Sequence, residues 1–434
     1  MSSTREMMVR PDTVSSGKPT RQRLVVIVVM LVTTTVAYLD RVNVSVLAAS
    51  DGFLVDMGIK GRPVQIGLMM TLFLLTYGIS NFTLSFLGDV FGPRKITATA
   101  VFIWLLSMVV GGCARSFNTI LGSRFVLGVG EGMYHPMQSK YVKQWFPPKE
   151  RGRANAVWSV GMSIAPAMAM PFFAWTISSF SWRASFFICA VLGAIPLYLV
   201  WFHTADSPRH HKGVNELELR HIEEGMAQET VVAQGPSMAA IWSSAKLVVK
   251  NYRVWVLLVY WICYNVCYWG ILMWLPSYLK SARGFSWTQM GLLSSLPFVL
   301  ALMAKIVSGW AADRIGRSAP FCVAAMLGVA LGVYFGEGVH SNIASGVLLA
   351  LGMGATGLGI PTFFALMQGL VPAKAMSFTH GTMNGIGTGI SSLSPAVIGF
   401  CISLTGGYSG GLFFVVGAAL LGALAALVLA IQKY

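Results

Sequence analysis

The stretch Tyr38-Leu39-Asp40-Arg41-Val42-Asn43 lies in the middle of an apolar run from Leu24 to Ala49. Such a run is long enough to cross a bilayer, which takes about 20 mostly apolar residues. A carboxylate or guanidinium at that depth is costly, so it faces a protein interior or a water-filled path rather than lipid. Two readings are open at this point: a structural ion pair, or a path for an anion and a proton with Arg41 as the fixed positive charge. A guanidinium keeps its charge and offers a carboxylate a planar fork. Tyr38 stands three residues before Arg41, on roughly the same helix face, with a hydroxyl to donate beside it.

A second pair of charges interrupts a later apolar stretch. Arg124 and Glu131 are seven residues apart, which places them on one helix face about 10 Å apart along the axis. Burial disfavours an ionised carboxylate and a nearby guanidinium favours it, so an acid held between the two can change protonation as its surroundings change. Asp40 and Glu131 are therefore the proton candidates, the alternative being structural partnership with Arg41 or Arg124. Arg124 itself reads as structural, or as a bias on Glu131. His135 follows Glu131 by one turn and precedes Pro136. It is either a proton relay or switchable charge, or a neutral imidazole bonded to a neighbour.

In the second half, Asn265 and Trp269 are one turn apart, as are Asn384 and Thr388 within a run rich in Gly, Ser and Thr. Amides donate to and accept from hydroxyl groups, which suits a polyol acid. Tyr77, Tyr268 and Gln368 are further lining candidates, and each of these polar residues could equally make an interhelical hydrogen bond. Lys305 also falls inside an apolar run. It reads as a side chain snorkelling to the cytoplasmic boundary, or as a contact for a second negative group, which would favour a dicarboxylate or phosphonate.

The elements that must position these residues are membrane helices. The 434-residue chain is 55% hydrophobic and only 11% charged, against about 25% charged for a soluble domain. Twelve apolar segments follow one another with short connections. The boundaries expected are a disordered cytoplasmic tail (1–23), a six-helix bundle (24–205), a cytoplasmic linker (206–250) holding a charged surface helix, and a second six-helix bundle (251–434). With both termini cytoplasmic, about 22 Lys and Arg fall on the cytoplasmic side and about 6 on the other, the positive-inside bias. That placement, rather than nucleic-acid binding, accounts for the formal net charge of +15. The six cysteines lie in apolar stretches without histidines at metal spacing. No metal cluster, cofactor motif or nucleophile–base set stands out, which points away from an enzyme. The glycine-rich runs Gly352 to Gly359 and Gly381 to Gly389 lack the features of phosphate loops and read as close-packing helix faces.

The two halves repeat one another. Ser85-Phe86-Leu87-Gly88-Asp89-Val90-Phe91-Gly92-Pro93-Arg94-Lys95 follows the second segment, and Gly309-Trp310-Ala311-Ala312-Asp313-Arg314-Ile315-Gly316-Arg317 ends the eighth. In each, an aspartate stands three residues before a glycine. A tight glycine turn there would bring Asp and Arg together to latch neighbouring helices. These paired loops resemble the signature loop of the major facilitator superfamily, with Ser85 where glycine is usual. Arg124-Phe125-Val126-Leu127-Gly128-Val129-Gly130-Glu131-Gly132 resembles its second signature. Tyr38-Leu39-Asp40-Arg41, Trp145-Phe146-Pro147-Pro148-Lys149-Glu150-Arg151-Gly152 and Trp274-Leu275-Pro276-Ser277-Tyr278-Leu279 narrow the resemblance to the anion:cation symporter family.

That resemblance implies an all-α integral membrane fold, with two six-helix bundles around a central cavity. It implies proton-coupled import of a small organic anion, such as an aldonate, aldarate or hexuronate, across the cytoplasmic membrane by alternating access. Its partners would be that anion, protons and the bilayer; a monomer without cofactor is the default for the fold. The resemblance puts Arg41 on the substrate carboxylate, gives Asp40 and Glu131 the coupling role, and places asparagines at the 265 and 384 positions in sugar-acid carriers. Asp89, Arg94, Arg124, Asp313 and Arg317 fall to gating and structure. Met162 stands where some sugar-acid carriers have a glutamine, which thins the polar lining and leaves room for a smaller or partly apolar anion.

Overall fold

The computed structural model describes residues 18–230, 250–371 and 376–432, and among them the regular structure is entirely helical. The long helices are the first span Gln22–Leu47, second Pro63–Leu84, third Pro93–Gly112, fourth Phe117–Trp145, fifth Pro148–Ser179 and sixth Trp182–His203. After the connection come the seventh Tyr252–Ser277, eighth Trp287–Ile315 and ninth Ala319–Gly338. The tenth is broken into Asn342–Ala355 and Gly359–Leu370, the eleventh into Met376–Ser391 and Ser394–Thr405, and Tyr408–Ile431 is the twelfth. Eleven of these are long and apolar enough to cross a membrane. The fourth is long enough, with 29 residues, but its glycines and its charges Arg124, Glu131, Lys140 and Lys143 make it less apolar.

Local chemistry sets the ends. Proline opens the second, third and fifth spans, where its missing N–H costs nothing and its fixed φ suits a first turn. Ser116, Ser181 and Ser286 accept hydrogen bonds from the first-turn amides of the fourth, sixth and eighth spans. The paired loops turn on matching glycines: Gly92 has φ 86° and Gly316 φ 69°, a region that side-chain-bearing residues rarely adopt.

The bundles close against each other at the end away from these charged loops. A Cβ on Gly67 of the second span would lie 2.3 Å from the Pro395 carbonyl of the eleventh. One on Gly291 of the eighth span would lie 2.9 Å from the Pro171 Cα of the fifth. Each glycine is four residues past the first residue of its helix, so the closed end is built twice, once per repeat. Ala396 N donates to Thr71 Oγ1 at 3.3 Å, and Ser45 Oγ meets Met273 Sδ at 4.0 Å across the same interface. Toward the charged loops, a groove of about 1040 Å³ opens beside the ends of the second and fourth spans, lined in part by Lys140, Lys143, Arg151 and Arg209.

The expected surface helix in the connection is present as Glu216–Thr230, but it is docked rather than free. Glu218 is fully buried. Its Oε2 accepts from the Gln22 amide at 3.0 Å, and its Oε1 from the Arg23 amide and Arg23 Nη1, both at 3.1 Å. A carboxylate there satisfies otherwise orphaned first-turn amides and faces the positive end of the helix dipole. Glu150, which opens the fifth span, joins this clamp through Arg23 Nε at 3.1 Å and His221 Nε2 at 2.9 Å. Thr20 to Arg23 are thus anchored; residues 1–17 of the expected tail lie outside the described residues.

Glu218→Ala strands two amides and a guanidinium, which should cost about 1–3 kcal/mol. The expected outcome is a lower unfolding temperature of the purified protein in detergent, followed by tryptophan fluorescence, with Glu218→Gln falling between the two. An unchanged melting curve would mean that the clamp contributes nothing.

Candidate functional site

The fourth span is aimed by three glycines. Added Cβ atoms on Gly128 and Gly132 would lie 2.6 Å from the carbonyls of Phe73 and Tyr77 on the second span, and one on Gly130 would lie 2.9 Å from the Ala100 carbonyl on the third. Backbone therefore rests on backbone on both sides, which leaves Glu131 to project toward the first span. Thr34, Tyr134 and Gln138 tie the first and fourth spans one turn further along: Gln138 Nε2 donates to Thr34 Oγ1 and to Tyr134 OH, each at 2.5 Å.

At this junction Arg41 Nε donates to Glu131 Oε2 at 2.5 Å, with both side chains buried. The guanidinium carbon stands 4.5 Å from the ring centroid of Tyr38, 4.6 Å from Tyr77 and 5.4 Å from Phe73. Cation–π contacts of this kind strengthen where water is excluded. Glu131 takes Nε, the Tyr77 hydroxyl is within hydrogen-bond reach of the guanidinium, and a guanidinium edge has the shape that forks a carboxylate.

A second set of buried charges lies behind. Arg124 is fully buried and directs Nη1 to the main-chain carbonyl of Asp40 at 3.4 Å, not to its carboxylate. Among the described residues Arg124 Nε and Nη2 and Glu131 Oε1 have no hydrogen-bond partner, while the Asp40 carboxylate lies against the Cys189 thiol. The guanidinium carbon of Arg124 sits 5.5 Å from the ring centroid of Phe186. Buried charges left short of partners are expensive, so this pair of helices holds a cluster that a proton or a ligand would relieve.

His135 is half-buried and packs edge-on between Tyr77 at 5.9 Å and Trp158 at 6.0 Å. Through Tyr77 it connects to Arg41. From the other bundle, Tyr268 comes close to Tyr38 and Arg41. It ends a stack of rings that runs Trp261, Tyr264, Tyr268, and Trp269 packs edge-on against it at 5.1 Å. Asn265 is buried, and its amide donates to its own helix at the Trp261 carbonyl, 2.8 Å away. Asn384 and Gln368 are exposed, with Gln368 in the last turn of the tenth span, and Thr388 is half-buried. The structure thus gathers Tyr38, Asp40, Arg41, Tyr77, Arg124, Glu131, His135 and Tyr268, but does not bring Gln368 or Asn384 into side-chain contact with them.

The loop aspartates and arginines do not latch as expected. Asp89 pairs with Lys140 of the fourth span at 2.6 Å, and that hydrogen bond holds its carboxyl below the usual range. Arg94 turns instead to the Trp201 carbonyl at the end of the sixth span, while its amide donates to Asp206 at 2.9 Å. In the second copy Asp313 is exposed, and Arg317 donates to the Ala430 carbonyl at 2.8 Å. In the first copy the glycine turn points the two side chains to different helices, so each finds a third partner that sequence neighbourhood alone does not reveal. Lys305 turns toward the other bundle: its Nζ donates to Ser163 Oγ of the fifth span at 2.9 Å. Phe73, Trp158 and Ser163 went unremarked in the sequence; their only signal there is helical spacing from Tyr77, Met162 and the chain's other lining candidates.

An all-helical membrane protein in two bundles, with its buried charges gathered where the bundles face each other, is a transporter rather than an enzyme. Residues 30–395 match the Major Facilitator Superfamily, and the chain belongs to that family. It is 30% identical over 412 residues to a probable sulfoacetate transporter of Cupriavidus necator, covering 93% of this chain and 92% of that one. It is 26% identical over 417 residues to a probable galactarate/D-glucarate transporter of Bacillus subtilis, covering 92% and 90%. A D-galactonate transporter of Escherichia coli O6:H1 is 26% identical over 429 residues, covering 96% and 97%. Among solved structures, an inward-facing, occupied bacterial homolog of the human lysosomal transporter Spinster superposes with a TM-score of 0.76 at 16% identity, covering 96% of this chain and 98% of that one. A D-xylose–proton symporter does so with 0.68 at 14%, covering 92% and 95%.

Gly132→Val would drive a branched side chain into the Tyr77 carbonyl and part the second and fourth spans. The expected outcome is loss of transport together with a lower melting temperature, while Gly122→Val, whose Cβ meets open space, leaves both near wild type apart from the helix-propensity change.

Proposed function

We propose that this protein is a proton-coupled symporter that imports a small organic anion, foremost a sugar acid, across the inner membrane. The observation that carries the reading is the buried Arg41 guanidinium, held by Glu131 through Nε and set between the rings of Tyr38 and Tyr77. Its relatives carry names of sugar-acid and sulfoacetate transporters, which supports an acidic substrate.

In the cycle that follows, protons reach Asp40 and Glu131 while the cavity faces outward. A protonated Glu131 no longer competes for Arg41, so the guanidinium takes the substrate carboxylate. The Tyr38 and Tyr77 rings keep water from screening the pair, and Tyr268 closes the site from the other bundle. The bundles then rock to the arrangement described here, sealed at the paired glycine contacts and open toward the charged loops, which the excess of basic residues assigns to the cytoplasm. Loss of the protons re-forms the Arg41–Glu131 pair and expels the anion. Coupling needs no mechanical linkage, because proton and substrate compete for one guanidinium's surroundings.

Uptake of radiolabelled aldonates, aldarates, hexuronates and small dicarboxylates into proteoliposomes under an inward proton gradient tests this reading. Wild type should concentrate at least one of these classes. Arg41→Ala should lower its uptake by about a hundredfold, as expected for stripping a buried charge of its partner. Glu131→Gln should still exchange substrate between the two sides but no longer concentrate it. Accumulation by Glu131→Gln equal to wild type would remove Glu131 from the coupling role.

A further inference from the structure

We propose that Lys305 is a second anion-binding group in the cavity, and that the preferred substrate therefore carries two acid groups, one on Arg41 and the other on Lys305. The proposal rests on the reading of Arg41 as the first carboxylate site.

Lys305 lies well inside the eighth span, about ten residues or roughly 15 Å of helix from its end at Ile315. The eighth span, at 29 residues or roughly 43 Å, is longer than the hydrocarbon core, so the setting of Lys305 is read from its packing rather than from its distance to the helix end. The ammonium points across the bundle interface, where Nζ donates to Ser163 Oγ at 2.9 Å. A hydroxyl is a neutral acceptor, and among the described residues Lys305 has no ion pair. The side chain is half-buried, so the head group borders open space instead of being packed away.

The charges at this depth already balance without Lys305. Asp40 and Glu131 face Arg41 and Arg124 within the first bundle, and Lys305 is left over in the second. An ammonium at membrane depth is tolerated where it faces water or meets a counter-charge. Its height relative to Arg41 follows from packing. Gly161 abuts Leu31 and Thr35 of the first span, and Ser163 is two residues further toward the closed end. Arg41 lies six residues beyond Thr35, so the backbone levels of Ser163 and Arg41 differ in depth by roughly 6–9 Å. A ligand with an acid group at each end of a short chain spans that offset; a monoacid leaves Lys305 unanswered. Aldarates and carboxylate–sulfonates have this form, and aldonates do not.

A purely mechanical role, with Lys305 and Ser163 as a latch between bundles, makes a different prediction, because a latch does not distinguish ligands by charge. The test measures binding of matched diacid and monoacid pairs (galactarate with galactonate, sulfoacetate with acetate) to the purified protein by tryptophan fluorescence, alongside gradient-driven uptake. Wild type should bind the better diacid about tenfold or more tightly than its monoacid partner. Lys305→Gln should abolish that preference while monoacid affinity changes little, and Lys305→Arg should retain it. Ser163→Ala, which removes the latch but keeps the charge, should also retain it. Equal losses for both ligands in Lys305→Gln, the same loss in Ser163→Ala, or a wild type without diacid preference would overturn the proposal. Failure of the symport reading is read separately: binding preference would persist without gradient-driven accumulation. Preference unaffected by Arg41→Ala would instead displace Arg41 as the first site.

Discussion

A guanidinium and a carboxylate can enter the interior of a bilayer protein only if they neutralise one another or are answered by something that arrives. The Arg41–Glu131 contact at 2.5 Å is that constraint made concrete, and much of the first bundle is arranged to meet it. Gly128, Gly130 and Gly132 bring the fourth span into backbone contact with its neighbours, which fixes where Glu131 points. Tyr38, Tyr77 and Phe73 wall the guanidinium with ring faces rather than with competing acceptors. The contact links the first and fourth spans through two buried side chains. It is also incomplete, since one carboxylate oxygen has no partner.

The two bundles divide the chemistry unequally. Buried charges Asp40, Arg41, Arg124 and Glu131 belong to the first, whereas the second meets them with rings: Trp261, Tyr264 and Tyr268 stacked along the seventh span, with Phe363 of the tenth on Trp261 at 4.1 Å. Aromatic rings offer a firm apolar wall and, for tyrosine, a hydroxyl at the edge. Such a wall can slide past a polar partner without stranding hydrogen bonds, which suits the half that has to move relative to the charges.

What could be read in the sequence follows the rarity of each signal. Charges inside apolar runs are few, so Asp40, Arg41, Arg124 and Glu131 were identifiable by type, and helical spacing placed Tyr38 beside Arg41. The glycine turns were equally legible, because an aspartate three residues before a glycine occurs in matching places in both halves, and both glycines do adopt positive φ. Partners were less legible. Asp89 and Arg94 are close in sequence, yet the turn sends one to Lys140 and the other to Trp201. Serine is common in membrane helices, so nothing singled out Ser163 as the acceptor for Lys305. Polar spacing along the tenth and eleventh spans gave no azimuth, and Gln368 and Asn384 lie apart from the charge cluster for that reason. The fourth span was recognisable as a helix although it is the least apolar, since Arg124 and Glu131 are seven residues apart and so share a helix face.

The closed end carries a consequence of its own. Gly67 on Pro395 and Gly291 on Pro171 are the same contact made twice by equivalent segments, so the seal resembles the isologous interface of a twofold dimer, folded into one chain. In such an interface each rigid half holds both copies of the latch, and neither copy can release while the other stays shut. Separation is then concerted, with the two contact free energies summed at a single step. A carrier closed this way passes between sealed and open without a half-open leak, because duplication has turned two weak backbone contacts into one cooperative switch.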